Sequence, residues 1–161
     1  MKGVSVIIAS AIIIVISVTA AYLALQYGTP AIDRSNEILL LQEAKETLTS
    51  IDNAVTSVVT EGNGSTRVLA LRITGGSYLV DVSNDQITFS MDTFAQIVGD
   101  NVSKIENGIN ITGTPGRITL YLPFDYNITE GVEFGSGNYN LIVRNEGYDI
   151  LTQKQTVSIS V

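Results

Sequence analysis

An uncharged segment near the N-terminus constrains this chain more than any other feature. No Asp, Glu, Lys or Arg stands between residues 4 and 32, and the part from Val4 to Leu25 is almost wholly apolar. An α-helix rises about 1.5 Å per residue and a bilayer core is about 30 Å thick, so roughly 20 apolar residues are enough to cross it. Lys2 is the one charge before the segment. Because positive charge is favoured on the cytoplasmic side, we expect a membrane helix with a cytoplasmic N-terminus and the rest of the chain outside.

Three interpretations of this segment are open. A Sec signal peptide has a basic start, an apolar stretch of about 7–15 residues and small residues before the cleavage site, which Val18-Thr19-Ala20 would supply. The apolar run is longer than that, and it continues through Tyr22, Leu23 and Leu25 without a polar region. The second interpretation is an uncleaved membrane anchor. The third depends on the residues that precede the run.

Lys2-Gly3 directly before an apolar helix resembles the leader, or class III signal peptide, of archaeal type IV pilin-like proteins and archaellins. The resemblance implies that a leader peptidase cuts between Gly3 and Val4 on the cytoplasmic side and leaves the helix on the mature protein. It also implies that the helix anchors the subunit in the membrane and later packs against its copies in a filament core. Many type IV pilins have Glu at the fifth mature position; this chain has Ile8, so that role does not carry over. The expected assembly face consists of Ile8, Ile12, Ile13, Val15, Ile16 and Leu23.

The segment that follows predicts a second helical stretch. Gly28-Thr29-Pro30 indicates a kink or short break near residues 28–30, with Thr29 as the N-cap of the resumed helix. Glycines after Glu61 predict the helix end. We favour packing of this stretch on the chain's own globular domain, with contacts to neighbouring subunits as the alternative. Apolar residues recur at alternating spacings of three and four, as in a coiled-coil seam: Leu41, Ala44, Leu48, Ile51, Val55 and Val58.

From Thr66 the apolar period changes to two, which is typical of strands. Gly75-Gly76 and Asn84-Asp85 between the first three runs predict a three-stranded meander. Eight or nine short strands separated by turn residues predict a β-sandwich. The expected fold is therefore α+β: a leader at residues 1–3, a long hydrophobic helix at residues 4–61 with its membrane part at 4–25, and an extracellular Ig-like or pilin-like β-sandwich at residues 66–161.

The composition excludes much of the chemistry of enzymes. The chain has no His and no Cys, which removes Cys and His nucleophile systems, Ser-His-Asp triads, disulfides and nearly all zinc, copper and haem sites. No twelve-residue Ca²⁺ loop is present, and the carboxylates lack a catalytic context. We predict no enzymatic activity, no catalytic residue, no metal site and no cofactor. The carboxylates considered for paired acid–base work are Asp81, Asp85, Asp92, Asp100, Asp125 and Glu130.

Charge and sequons add two expectations about partners. With 9 Lys and Arg against 16 Asp and Glu, the net charge is −7, and no basic cluster is available for phosphates, so we expect no nucleic-acid partner. Four Asn-x-Ser/Thr triplets lie on the predicted outer side of the membrane, where they are candidates for N-glycosylation. Their asparagines are Asn63, Asn101, Asn110 and Asn127.

Two functions of different class remain. The first is a structural subunit of an archaeal type IV pilus-like filament at the cell surface, whose partners are identical or related subunits and whose filament serves adhesion. Small residues such as Ala9, Ala11 and Ala20 in the apolar helix favour it, because they allow helices to pack closely. The second is a single-pass surface glycoprotein whose β-sandwich binds a partner or carbohydrate without polymerising.

Overall fold

One long helix precedes a β-rich region. The structure, a computed structural model, describes residues 2–93 and 102–161, with side chains from residue 8 onward. The chain is α+β, as its sequence patterns predict. Within the described residues the elements are α1 (Lys2–Glu61), β1 (Thr66–Ile73), β2 (Ser77–Asp81), β3 (Gln86–Asp92), β4 (Ser103–Glu106), β5 (Ile109–Thr114), β6 (Arg117–Pro123), β7 (Asn127–Ile128), β8 (Glu133–Phe134), β9 (Gly137–Asp149) and β10 (Lys154–Ser160).

The strands form two sheets. The four-stranded sheet has the order β1-β9-β10-β7, and the six-stranded sheet has the order β4-β5-β6-β3-β2-β8. Pairings are antiparallel except that between β7 and β10, which is parallel. Buried residues from α1 and from both sheets belong to one hydrophobic core.

The predicted meander is wrong at its first connection. β1 pairs with β9, Thr66 lying opposite Arg144 and Ile73 opposite Gly137, whereas β2 pairs with β3 and β8. Gly75-Gly76 therefore carries the chain from one sheet to the other. Gly76 has a φ of 78°, and a Cβ there would lie 2.3 Å from the ring of Phe89, so this turn requires glycine. A short glycine pair suits both a hairpin and a crossing between sheets, and strand alternation does not distinguish them.

The seam along the second half of α1 packs on the chain's own β-region, as predicted. Its six apolar residues, from Leu41 to Val58, are all buried in the common core. On the same part of the helix, Leu39 stays exposed and Leu40 is partly buried. The spacing of three and four thus correctly predicted which side of the helix meets the sheets.

The predicted break near residues 28–30 is absent, because α1 is helical through Pro30. Thr29 does not cap a new helix; its Oγ1 donates to the carbonyl of Leu25 at 2.9 Å, one turn earlier. Pro removes one backbone donor, but nothing on this exposed part of the helix forces the chain in another direction. A kink at Pro30 stays a prediction. The helix ends at Glu61 as expected, where Gly62 adopts a φ of 99°.

Candidate functional site: the uncovered segment of the helix

Residues 8–36 of α1, called here the free segment, have no buried side chain. The chain's own β-region leaves this part of the helix uncovered. Ile13 is 64% exposed, although it lies in the middle of the most apolar stretch of the sequence. The predicted assembly face is exposed at every position: Ile8, Ile12, Ile13, Val15, Ile16 and Leu23.

The apolar part of the free segment makes its backbone hydrogen bonds within itself. From residue 8 to residue 25 its backbone hydrogen bonds are made within the helix, and Thr19 Oγ1 donates to the carbonyl of Val15 at 2.8 Å. Such a helix can enter hydrocarbon because its polar backbone groups already have partners. Among the described residues, α1 alone is long and apolar enough to cross a bilayer, judged by length and composition, and none of its most apolar window is buried.

Two carboxylates connect the helix to the β-region where the free segment ends. Glu37 is buried and accepts a hydrogen bond from Thr93 Oγ1. Glu43 accepts from both the N–H and the hydroxyl of Thr74. Sequence reasoning missed both residues. Glu37 lies four residues before Leu41, and this spacing places it on the seam side of the helix, which is the signal that could have identified it.

An ion pair makes a third connection. Lys45 Nζ lies 2.6 Å from Glu106 Oε2 on β4. The hydrogen bond from Lys45 and the charges of Lys45 and Lys104 hold the pKa of Glu106 below its usual range. These polar contacts and the seam fix the direction in which the free segment leaves the β-region.

A buried asparagine completes the far end of the helix. Asn145, on β9, is fully buried; its Nδ2 donates to the carbonyl of Val58 at 3.1 Å, and its Oδ1 accepts from the N–H of Gly147 at 2.8 Å. The same carbonyl also accepts from the N–H of Gly62 at 3.2 Å and from Ser65 Oγ at 2.5 Å, so Asn145 adds a third donor at the end of the helix and ties it to β9. The contact joins residues 87 positions apart, and no local pattern predicts it.

The four sequons are not equivalent. Asn63 is exposed in the turn after α1. Asn110 is half-buried in β5, between β4 and β6. Asn127 is half-buried, and its Nδ2 donates to Thr152 Oγ1. Asn101 lies outside the described residues. Asn63 is therefore the most accessible acceptor of the three that are described.

The leader residues Lys2, Gly3 and Val4 lie at the start of α1, before the described side chains begin. Of the carboxylates considered for catalysis, Asp81 accepts from Asn84 Nδ2 and from the N–H of Ser83 within its own turn, and these hydrogen bonds lower its pKa. Asp92 pairs with Arg117, and Asp85 pairs with Lys154. Asp100 lies outside the described residues. In the described part of the chain, no three Asp or Glu side chains are grouped so that they could hold a metal ion.

Comparison with protein-family models, with curated proteins and with solved structures finds no match to this chain.

Proposed function

We propose that this chain is a structural subunit of a cell-surface filament of the archaeal type IV pilin-like kind. The observation that carries the proposal is the free segment, an apolar helix that its own chain leaves bare. In the proposed filament, copies of this helix pack together in the core, and the β-region, as an Ig-like or pilin-like sandwich, faces outward and serves adhesion. Before assembly the same helix holds the subunit in the membrane with its N-terminus in the cytoplasm.

The energetics of the free segment support packing against copies. Removing apolar surface from water gains roughly 25 cal/mol per Å². A helix that leaves the bilayer loses this gain unless another apolar surface covers it. Copies of the same helix supply that surface along the whole segment.

The length of the free segment favours a filament over a plain anchor. A span from residue 4 to residue 25 already covers a bilayer core of about 30 Å. Beyond it, Tyr27 is 72% exposed and Ile32 is 62% exposed. In a monomeric anchor that stands upright these side chains face water. In a bundle of parallel copies they are covered.

The test is a substitution in the middle of the free segment, with electron microscopy of the cell surface as readout. Ile13→Asp should abolish filaments, because it places a charge in the packed core, while the β-region stays folded and protease-resistant. Ile13→Leu is the matched control and should assemble normally. Filaments that form with Ile13→Asp, or an unchanged surface after deletion of the chain, would overturn the proposal.

Processing is tested separately. N-terminal sequencing of the native protein should begin at Val4, and a bulky residue at Gly3 should block the cut. A start near Ala21 would show Sec cleavage and the loss of the anchor.

The second candidate function is a single-pass surface glycoprotein that binds a partner or carbohydrate and stays monomeric. The sequon at Asn63 favours it, since this asparagine is exposed in the turn after α1, where a sugar can be attached. A protein that is glycosylated at Asn63, held in the membrane and monomeric after mild extraction would support this alternative.

A further inference from the structure

The turn between β9 and β10 presents two aliphatic side chains to solvent. Ile150 is 82% exposed and Leu151 is 93% exposed, the highest values among the large apolar residues described. We call this pair the distal tip. Single exposed apolar residues are ordinary, but two adjacent ones at the end of a hairpin form a small apolar projection.

The turn is built to hold these side chains outward. Asp149 Oδ1 accepts from the N–H of Leu151 at 2.8 Å, and Oδ2 accepts from Thr152 Oγ1 at 2.9 Å. Thr152 Oγ1 also accepts from Asn127 Nδ2 on β7. The turn is thereby tied to a neighbouring strand, and ordering the two aliphatic residues in a contact costs less entropy than in a loose loop.

An apolar groove lies where the helix joins the β-region. Its volume is about 370 Å³. A cavity of about 150 Å³ is known to hold benzene, so this groove has room for an aliphatic side chain. Leu40 forms part of its floor and packs against Gly75, where an added Cβ would lie 3.2 Å from Leu40 Cδ2. This basal groove is lined by Asn36, Leu39, Leu40, Glu43 and Thr74.

The distal tip and the basal groove lie at opposite ends of the β-region. β1 and β9 run antiparallel, with Ile73 opposite Gly137 and Thr66 opposite Arg144. The groove lies just beyond Ile73, and the tip lies beyond Arg144. The eight paired residues of β1 span about 26 Å at roughly 3.3 Å per residue. A tip therefore does not reach the groove of its own chain.

We propose that the distal tip of one copy seats in the basal groove of the next copy. A contact between two different surfaces of the same chain is head-to-tail, and it produces an open filament when the rotation does not close a ring. This inference rests on the proposed filament function and names the outer contact that accompanies the helical core.

The carboxylates at the two surfaces keep their hydrogen bonds when the surfaces meet. Both oxygens of Glu43 accept from Thr74, and both oxygens of Asp149 accept within the turn. Joining the surfaces leaves these hydrogen bonds in place. Both carboxylates keep their negative charge, so the contact consists of the aliphatic side chains, with the carboxylates in water at its rim.

The size of the contact fits a second copy held in place by the helices. Stable independent complexes bury about 1,200–2,000 Å² in total, far more than two aliphatic side chains contribute. The tip alone is too small to capture a free partner. It suffices where the free segments already hold neighbouring copies at a high effective concentration.

The absence of cysteine in the natural chain makes the test specific. Leu151→Cys and Leu39→Cys are combined in one chain, filaments are purified and oxidised, and non-reducing gels are run. A disulfide needs Cα atoms about 4.4–6.8 Å apart, so cross-linking reports direct contact. One cysteine per copy gives at most dimers, whereas the pair should give a ladder well beyond the dimer. The matched control pairs Leu39→Cys with Val68→Cys, an exposed residue on β1 outside both surfaces, and should give no ladder.

The outcomes separate this contact from the function on which it rests. Assembled filaments without a ladder would overturn the contact and leave the filament function standing. A wild-type chain that forms no filaments would overturn both. If the double variant alone fails to assemble, filaments are grown from wild-type copies mixed with separate Leu151→Cys and Leu39→Cys copies. A dimer that requires both variants supports the contact, and its absence refutes it.

Discussion

The two halves of α1 have the same secondary structure and opposite surroundings. In the free segment apolar residues occur all round the helix, and none is buried. In the second half, residues 37–61, called here the docked segment, they follow one seam and are buried against both sheets. An apolar stripe indicates a helix that rests on its own domain, whereas an all-round apolar surface indicates a helix that needs a lipid or protein environment from elsewhere.

The largest expected effect is a difference in stability between the same substitution, Ile→Ala, made in each half of α1. Ile51 is fully buried, so Ile51→Ala should lower the free energy of unfolding of the β-region by about 2–5 kcal/mol. Ile13→Ala, the matched change in the free segment, should alter it by less than about 0.5 kcal/mol. The measurement is denaturant unfolding of the full chain in detergent micelles. Equal losses for both variants would show that the free segment also packs on the β-region.

The next comparison is between a glycine of the β-region and a glycine of the free segment. Gly76→Ala should destabilise the β-region by about 3 kcal/mol or more, since it adds a strained positive φ to a clash with the buried ring of Phe89. Gly28, in the free segment, has nothing within 4 Å of an added Cβ. Gly28→Ala should leave domain unfolding unchanged and raise helicity, because Ala is favoured over Gly in a helix by about 1 kcal/mol.

The control for the clash is Gly108→Ala, where φ is 79° but the space is open. Its loss of stability should be smaller than that of Gly76→Ala when the thermal unfolding of both variants is measured. If both variants lose the same amount, backbone strain alone explains the loss at Gly76, and the tight packing around Phe89 contributes nothing.

The stability of the docked segment also depends on a contact at its C-terminal end. Asn145→Ala should cost about 1–3 kcal/mol, because the buried N–H of Gly147 loses its acceptor and the carbonyl of Val58 loses one of its three donors. Asn140→Ala, at an exposed position of the same strand, should be nearly neutral. Calorimetry of the two variants measures the difference in unfolding temperature. A neutral Asn145→Ala would show that this asparagine does not stabilise the docked segment.

Residues with local signals were predictable, and those with distant partners were not. The seam from Leu41 to Val58 follows from spacing alone, and the alternation after Thr66 predicts a region of many short strands. The crossing at Gly75-Gly76 was missed, since β1 finds its partner about 70 positions later in the chain. Asn145 was missed for the same reason. The spacing of Glu37 before Leu41 indicates its side of the helix, but not its partner Thr93, 56 positions later. The free segment was recognised from composition and length, which also predicted that its own chain leaves it uncovered, and residues 8–36 have no buried side chain.

The smallest expected effect is a pH dependence that tests the polar attachment of the docked segment. The pKa of Glu106 lies below its ordinary value of 4.5 because of the hydrogen bond and charge of Lys45 and the charge of Lys104. Its stabilising effect is therefore present above about pH 4.5 and is lost as the pH falls through the lower folded-state pKa. Glu106→Gln should lower the unfolding midpoint slightly at pH 7, and the gap to the wild type should close in acid.

Asp52 should behave oppositely, since burial raises its pKa above 3.8 and its ionised form disfavours folding. Asp52→Asn should therefore raise the midpoint slightly at pH 7, and that gain should disappear as acid protonates Asp52 in the wild type. Urea unfolding of both variants between pH 3 and pH 7 checks the two signs. A Glu106→Gln midpoint that is not below the wild type at pH 7, or a gap that stays constant in acid, would contradict a stabilising attachment of Lys45 to Glu106. An Asp52→Asn midpoint below the wild type at pH 7 would contradict the burial cost of Asp52.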